Sequence, residues 1–92
     1  MKKHERTVKK ACLFPKEGLC LWYYLKRLRR GYRYLEVVAE DENGRRSEKS
    51  GGLPCAGGWA LSFFHLAVTA AVTPYTLVEV YDEFLLRITQ ND

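Results

Sequence analysis

The sequence is poor in the residues from which small metal-bound or disulfide-bonded proteins are built. Of its 92 residues, only three are cysteine (Cys12, Cys20 and Cys55) and only two are histidine. The cysteine spacings match neither a C-x-x-C metal knuckle nor a paired disulfide framework. We therefore expect reduced thiols that pack as small apolar side chains, with no metal centre, no cofactor and no catalytic cysteine.

Long apolar runs are missing as well. The longest apolar-rich stretch, residues 59–72, is interrupted by Ser62, His65 and Thr69, and it is shorter than the roughly 20 residues that a membrane-spanning helix needs. The basic N-terminus leads into the polar residues 7–10 instead of the apolar core of a signal peptide. These absences predict a cytoplasmic protein that does not insert into a membrane.

What the chain does contain predicts one small folded domain. Its residues are 47% hydrophobic and 13% aromatic, which is enough apolar surface to offset the entropy lost on folding. A chain of 92 residues has room for one core. We therefore expect a single domain over residues 1–92, with residues 1–6 frayed.

Charge is distributed unevenly along the chain. Residues 1–33 hold eleven Lys and Arg against two acids, a balance of +9, whereas residues 34–92 hold four against nine, a balance of −5. The first third of the protein is therefore basic and the remainder acidic.

Two β-hairpins are predicted in the first half of the chain. Residues 7–14 have strand composition, and Pro and Gly at turn spacing in residues 15–18 precede a second strand, residues 19–25. The apolar residues of this second segment would also line one face of a helix, but the glycines Gly18 and Gly31 that bracket it favour a strand. Residues 32–40 and 45–49 form the second hairpin around the Asn-Gly pair at 43–44.

Two helices are predicted after the loop of residues 50–58, which contains four glycines and a proline. Residues 59–72 place Trp59, Phe63, Leu66 and Ala70 at helical spacing, and nearly every face is apolar, which favours burial. The dipeptide at 73–74, Thr-Pro, has the composition of a helix N-cap followed by the first helical residue, and the second helix should run to about residue 88.

Strands followed by helices indicate an α+β fold, with an antiparallel sheet of three to four strands and two C-terminal helices packed on it. The residues expected in its core are Trp22, Leu35, Val37, Leu61, Phe64, Leu66, Leu77, Phe84 and Leu85.

Residues 72–85, VTPYTLVEVYDEFL, resemble the C-terminal signature of a family of short bacterial proteins known only as a domain of unknown function. The resemblance extends over about residues 7–88, because the family also has a Tyr-rich strand like residues 22–25, a strand like residues 32–39, a charged turn and two helices. Residues 55–59, CAGGW, depart from the capped, acidic helix entry of that family. The resemblance implies this order of elements and no activity.

A basic aromatic segment is the first candidate site. It comprises Lys26, Arg27, Arg29, Arg30 and Arg33, flanked by Trp22, Tyr23, Tyr24, Tyr32 and Tyr34. Cations neutralise phosphates and aromatic rings stack on bases, so this pattern suits single-stranded nucleic acid. The alternative is a solvated hairpin tip or edge strand whose charges prevent aggregation while its aromatic residues face the core. A basic amphipathic helix at an anionic membrane surface is less favoured.

An acidic set, Glu79, Asp82 and Glu83, is the second candidate, because residues three or four apart share a helix face. Acid–base or metal chemistry would require converging partners, and the only histidines are the terminal His4 and His65 within an apolar helix. The acidic face is better interpreted as solvated or as a docking surface for a basic partner.

These patterns favour a non-enzymatic binding module. A protein partner is the leading hypothesis, with the chain acting as an adaptor or inhibitor of a larger protein. One specific form would be an inhibitor carried by a mobile genetic element. The alternative is nucleic-acid binding through residues 22–34, and a homodimer formed through an edge strand or the second helix is compatible with either.

Overall fold

The structure, a computed structural model, describes residues 5–28, 33–54 and 58–90, the last residue by its main chain only. It contains strands β1 (Arg6–Lys16), β2 (Leu19–Arg27), β3 (Arg33–Asp41) and β4 (Gly44–Lys49), followed by helices α1 (Trp59–Thr69) and α2 (Leu77–Gln90). The four strands form one antiparallel sheet in the order β1-β2-β3-β4. The predicted α+β fold is confirmed. Neither of the described helices is long and apolar enough to cross a membrane.

Residues 19–25, whose apolar pattern is compatible with either a strand or a helix, belong to the inner strand β2. It pairs with β1 on one side and β3 on the other, and its side chains alternate between the two faces of the sheet. Leu21, Tyr23 and Leu25 are buried beneath the helices, whereas Trp22 and Tyr24 lie on the opposite face and are half-buried. Hydrogen bonding to a neighbour on each side favours the strand over a helix of similar apolarity.

The face of α1 that meets the sheet differs from the predicted one. Ala60, Phe63, Phe64 and Ala67 are buried, while Leu61 and Leu66 are each 42% exposed, so their predicted core positions are wrong. A helix with apolar residues on every side carries no clear phase of its own. Contact with the sheet decides which side of α1 is buried. The small side chains of Ala60 and Ala67 allow the helix to approach the sheet closely, with Phe63 and Phe64 buried between them.

Of the other predicted core positions, some are buried in the core and some are not. Four of them, Leu35, Val37, Phe64 and Leu77, are buried as predicted, and Phe84 is half-buried against the core. Trp22 is instead half-buried on the face of the sheet opposite the helices, and Leu85 is half-buried outside the core cluster.

The second helix begins three residues later than the Thr-Pro pair indicates, so the predicted cap at Thr73 is wrong. The Val80 amide donates to the carbonyl of Thr76 at 3.1 Å, which makes Thr76 the residue that accepts the first hydrogen bond of α2. The Thr73 amide donates to Oγ1 of Thr76 at 3.1 Å. Thr73 and Pro74 therefore form a turn between the helices, and α1 ends at Thr69 instead of Val72.

Aromatic rings join α2 to the rest of the fold. Phe63 of α1 lies 4.9 Å from the ring of Phe84 and 6.0 Å from the ring of Tyr81, measured between centroids. The Tyr81 hydroxyl donates a 2.6 Å hydrogen bond to the Gly52 carbonyl. This hydrogen bond ties α2 to the segment that follows β4.

Gly51 is expected to be intolerant of alanine because of this contact. An added Cβ would lie 2.6 Å from the Tyr81 hydroxyl oxygen and 2.8 Å from the ring carbon that carries it. Overpacking of this kind costs about 1–3 kcal/mol of unfolding free energy, measurable by urea denaturation. In a Tyr81→Ala background the methyl group has space, so Gly51→Ala should then cost much less. Equal costs in the two backgrounds would contradict the contact.

Candidate functional site

The sheet has two unlike faces, because consecutive side chains of a strand point in opposite directions. The face opposite the helices is named the outer sheet face. The register places on it Lys10, Cys12, Cys20, Trp22, Tyr24, Lys26, Tyr34, Glu36, Val38, Glu40, Arg45, Ser47 and Lys49.

Three aromatic side chains, Trp22, Tyr24 and Tyr34, lie on the outer sheet face and are named the aromatic cluster. Trp22 is paired with Cys12 of β1 on one side and with Val38 of β3 on the other. Val38 is only 2% exposed and Tyr34 only 5%, although helix α1 packs on the other face. Side chains of the outer sheet face therefore shield one another, which leaves Trp22 and Tyr24 half-buried and partly open to solvent.

Charged groups of both signs surround this cluster. The Lys26 ammonium lies 3.0 Å from a Glu36 carboxylate oxygen and 3.8 Å from one of Glu5. It also lies 5.7 Å from the Tyr24 ring, while the Lys49 ammonium lies 5.6 Å from the Tyr34 ring. Cations within about 6 Å of an aromatic ring are attracted to its face. Cations and acids are therefore interleaved on the outer sheet face.

The structure divides the basic aromatic segment predicted from the sequence. Lys26 lies on the outer sheet face, Arg27 is exposed at the end of β2, and Arg33 is half-buried at the start of β3. Arg29, Arg30 and Tyr32 lie outside the described residues. The described cations of this segment are therefore divided between the two faces of the sheet, with Lys26 on one face and the cross-strand pair Arg27 and Arg33 on the other.

Tyr23 belongs to the core and is not exposed to a ligand, in contrast to its predicted place in the basic binding patch. Its side chain is 0% exposed, and its hydroxyl donates a 2.7 Å hydrogen bond to the Val72 carbonyl. Burial raises the pKa of Tyr23 to about 12. The alternation of β2 is the physical reason, because it places Tyr23 on the face opposite Trp22 and Tyr24.

The acidic set lies exposed on the solvent side of α2. Glu79, Asp82 and Glu83 are all exposed, and Glu83 forms an i,i+4 ion pair with Arg87 at 3.5 Å. His65 is exposed on α1. Within the described ranges, no three side chains among His, Cys, Asp and Glu are grouped so that they could hold a metal ion.

Two thiols lie on the outer sheet face beside the aromatic cluster. Cys12 is exposed and Cys20 half-buried, and both are free. Burial raises the pKa of the Cys20 thiol, and negative charge on Cys12 and Glu40 raises it further. Cys20 is therefore a weaker nucleophile near neutral pH than an ordinary thiol. Cys55 lies outside the described residues.

A cleft of about 600 Å³ lies at the end of the sheet that carries the turns β1–β2 and β3–β4, beside the connection between the two helices. Its lining includes cations and acids together, among them Lys16, Asp41 and Arg46. Within this lining, the Arg46 guanidinium lies 5.0 Å from the centroid of the Tyr75 ring. This mixed lining favours no single class of small molecule.

Sequence reasoning missed that Trp22 faces away from the helices. The available signal was the alternation itself, since assigning Tyr23 to the helix side of the sheet necessarily places Trp22 and Tyr24 on the other side.

No model of a known protein family matches the chain, and no curated protein or solved structure gives a significant match. The resemblance of residues 72–85 to the family of unknown function therefore stays a prediction.

Proposed function

We propose that the protein is a non-enzymatic binding module that presents the outer sheet face to another protein. The observation that supports this most directly is the pair Trp22 and Tyr24, partly open on an inner strand of the four-stranded sheet and surrounded by charged residues. Interface hot spots are rich in Trp and Tyr, lie near the centre of the contact, and are ringed by residues that exclude water. The outer sheet face has this arrangement.

The ion pairs of Lys26, beside Tyr24, favour a protein over a nucleic acid at this part of the outer sheet face. Glu36 and Glu5 lie beside Lys26 and compensate its charge, and among the described cations of the basic segment only Lys26 lies on this face. Phosphate binding requires cations that replace the counterions of the backbone. Paired charges suit a protein partner, whose own charges must be matched in both signs.

The two edges of the sheet are less suited to pairing with another strand. Strand β1 has register irregularities between Thr7 and Lys9 and between Leu13 and Lys16, and it also carries Pro15. Strand β4 is six residues long and fully exposed, and four of its residues are charged. Bulges, proline, lysine and short length all oppose edge-to-edge association. The outer sheet face is therefore favoured over the edges as the binding surface.

The acidic set of α2 offers a second docking surface on the same module. A partner with a basic, partly apolar groove would be complementary to it, because Val78 and Leu86 are 49% and 56% exposed beside Glu79 and Asp82. An adaptor could use both surfaces, whereas an inhibitor needs one. We place this activity in the cytoplasm, and an inhibitor carried by a mobile element remains its most specific form.

Nucleic-acid binding is the second candidate, and strand β1 carries the observation that favours it. Arg6, Lys10 and Lys16 are exposed on this strand, and none of them takes part in an ion pair between described residues. Unpaired surface cations are available to phosphates. This candidate predicts binding that depends on β1 and weakens steeply with salt.

The variant Trp22→Ala/Tyr24→Ala is expected to lose the partner. The experiment is affinity capture of the tagged protein from its native lysate at two salt concentrations, with and without nuclease. Wild type should retain a nuclease-resistant protein, and the double variant should lose more than about nine-tenths of it, since hot-spot truncations each cost about 2 kcal/mol or more. Tyr75→Ala is the matched control, because Tyr75 is 72% exposed and lies outside the outer sheet face.

Other outcomes would redirect the proposal. Equal recovery by the double variant and Tyr75→Ala would reject the outer sheet face as the binding surface. Recovery of RNA or DNA that nuclease and salt abolish would support the second candidate, and the variant Lys10→Gln/Lys16→Gln should then lose it. Circular dichroism would show that each variant is folded.

A further inference from the structure

Two arginines face each other at the end of the sheet away from the β-turns. Arg27, the last residue of β2, is directly opposite Arg33, the first residue of β3. Both follow the alternation of Leu25 and Leu35, so they lie on the helix side of the sheet. Like charges directly opposite each other on one face destabilise a sheet unless something compensates them.

No described residue provides that compensation. None of the ion pairs in the described part of the chain includes either arginine. The Nε atom of Arg33 is shielded from solvent and has no hydrogen-bond partner among the described residues. A buried donor without an acceptor is costly, and a charged one more so. Arg27 and Arg33 therefore carry two positive charges with no described acid paired to them, and the Nε donor of Arg33 has no described acceptor.

The segment that follows β4 passes beside the two arginines. The amide of Leu53 donates to the Arg33 carbonyl at 2.8 Å, which brings the segment before α1 to this arginine.

We propose that Arg27 and Arg33 form a binding site for a phosphate group, either free phosphate or a phosphate ester. A guanidinium group presents its donors in a planar fork that matches two phosphate oxygens, and two such groups can share one doubly charged anion. Bound phosphate would remove the repulsion between the arginines and supply an acceptor for the donors of Arg33. The site lies on the helix side of the sheet, so it is independent of the outer sheet face.

The test compares thermal unfolding in sodium phosphate and in sodium chloride at equal ionic strength and pH. Phosphate at about five times its dissociation constant should raise the melting temperature of wild type by about 4–8 °C. Arg27→Gln and Arg33→Gln should each lose this increase, whereas Arg45→Gln, on the outer sheet face, should keep it. Arg27 is exposed, so its variant is expected to fold.

A second measurement separates a binding site from a general effect of charge. In chloride alone, Arg27→Gln should be at least as stable as wild type, because it removes the repulsion with Arg33. The NMR signal of the Arg33 Nε–Hε group should shift on addition of phosphate in wild type and not in Arg27→Gln. The proposal is overturned if phosphate stabilises wild type no more than chloride does, or if all three variants respond equally.

The same site can be tested for the source of the phosphate. Titrations with inorganic phosphate, with a nucleoside 5′-monophosphate and with a short single-stranded oligonucleotide share one readout, the Arg33 signal. Tighter binding of the oligonucleotide would assign the site to a nucleic-acid backbone. Tighter binding of inorganic phosphate or the monophosphate would assign it to a small phosphorylated ligand. No response to any of the three would reject the site.

Discussion

Phe63→Ala should remove a large share of the free energy of unfolding, about 3–5 kcal/mol. The Phe63 side chain is 0% exposed and contacts the rings of both Tyr81 and Phe84, so its loss leaves a cavity where α1, α2 and the core meet. Replacing a buried phenylalanine by alanine costs about 3–5 kcal/mol. A domain of this size has about 5–14 kcal/mol of stability in total. Urea denaturation followed by circular dichroism measures the loss.

Leu61→Ala is the matched control, because it truncates a large apolar side chain in the same helix. Leu61 is 42% exposed, so its replacement should cost less than about 1 kcal/mol. The pair of variants also tests the phase of α1, since the sequence pattern alone places Leu61 in the core. If Leu61→Ala costs as much as Phe63→Ala, the helix is rotated relative to the sheet.

Alkaline pH should destabilise the protein through Tyr23. Its pKa is about 12 in the folded protein because burial disfavours the charged form, and about 10 in the unfolded chain. The contribution of Tyr23 to stability is therefore fully present below pH 10 and is lost as the pH rises through 12, since the unfolded state releases its proton first. A difference of two pKa units corresponds to about 3 kcal/mol of stability.

Tyr23→Phe isolates this effect from the other groups that titrate in the same range. At neutral pH the variant should be about 1 kcal/mol less stable than wild type, because it loses the hydrogen bond to the Val72 carbonyl. Between pH 10 and 12 the difference should shrink and then reverse, because phenylalanine does not ionise. Parallel stability curves for the two proteins across this range would show that Tyr23 has no raised pKa.

The order of elements could be predicted because each depends on local chemistry. Gly18 and Gly44 have positive φ angles of 84° and 131° at the two turns of the sheet, a conformation that glycine adopts without strain. The carboxylate of Asp41 accepts a 2.8 Å hydrogen bond from the Asn43 amide within the second turn. Turn residues of this kind specify a reversal wherever they occur, so the hairpins follow from the sequence.

The candidate sites could be predicted only in part. The basic residues, the aromatic residues and the acidic helix face were all visible as patterns, but their grouping was not. Lys26 joins acids on the outer sheet face, while Arg27 faces Arg33 on the other side. Residues adjacent in sequence were separated by the alternation of one strand, and residues far apart were brought together by strand pairing.

The residue pattern therefore determined the fold class, the four strands and the two helices, because hydrophobic period, turn chemistry and helix propensity act over a few residues. Tertiary structure alone decided which side of α1 is buried, where α2 begins, and that Trp22 faces away from the helices. These choices depend on how closely Ala60 and Ala67 approach the sheet and on hydrogen bonds such as that between Tyr81 and Gly52. Contacts between distant residues have no local signal, so only the folded chain reveals them.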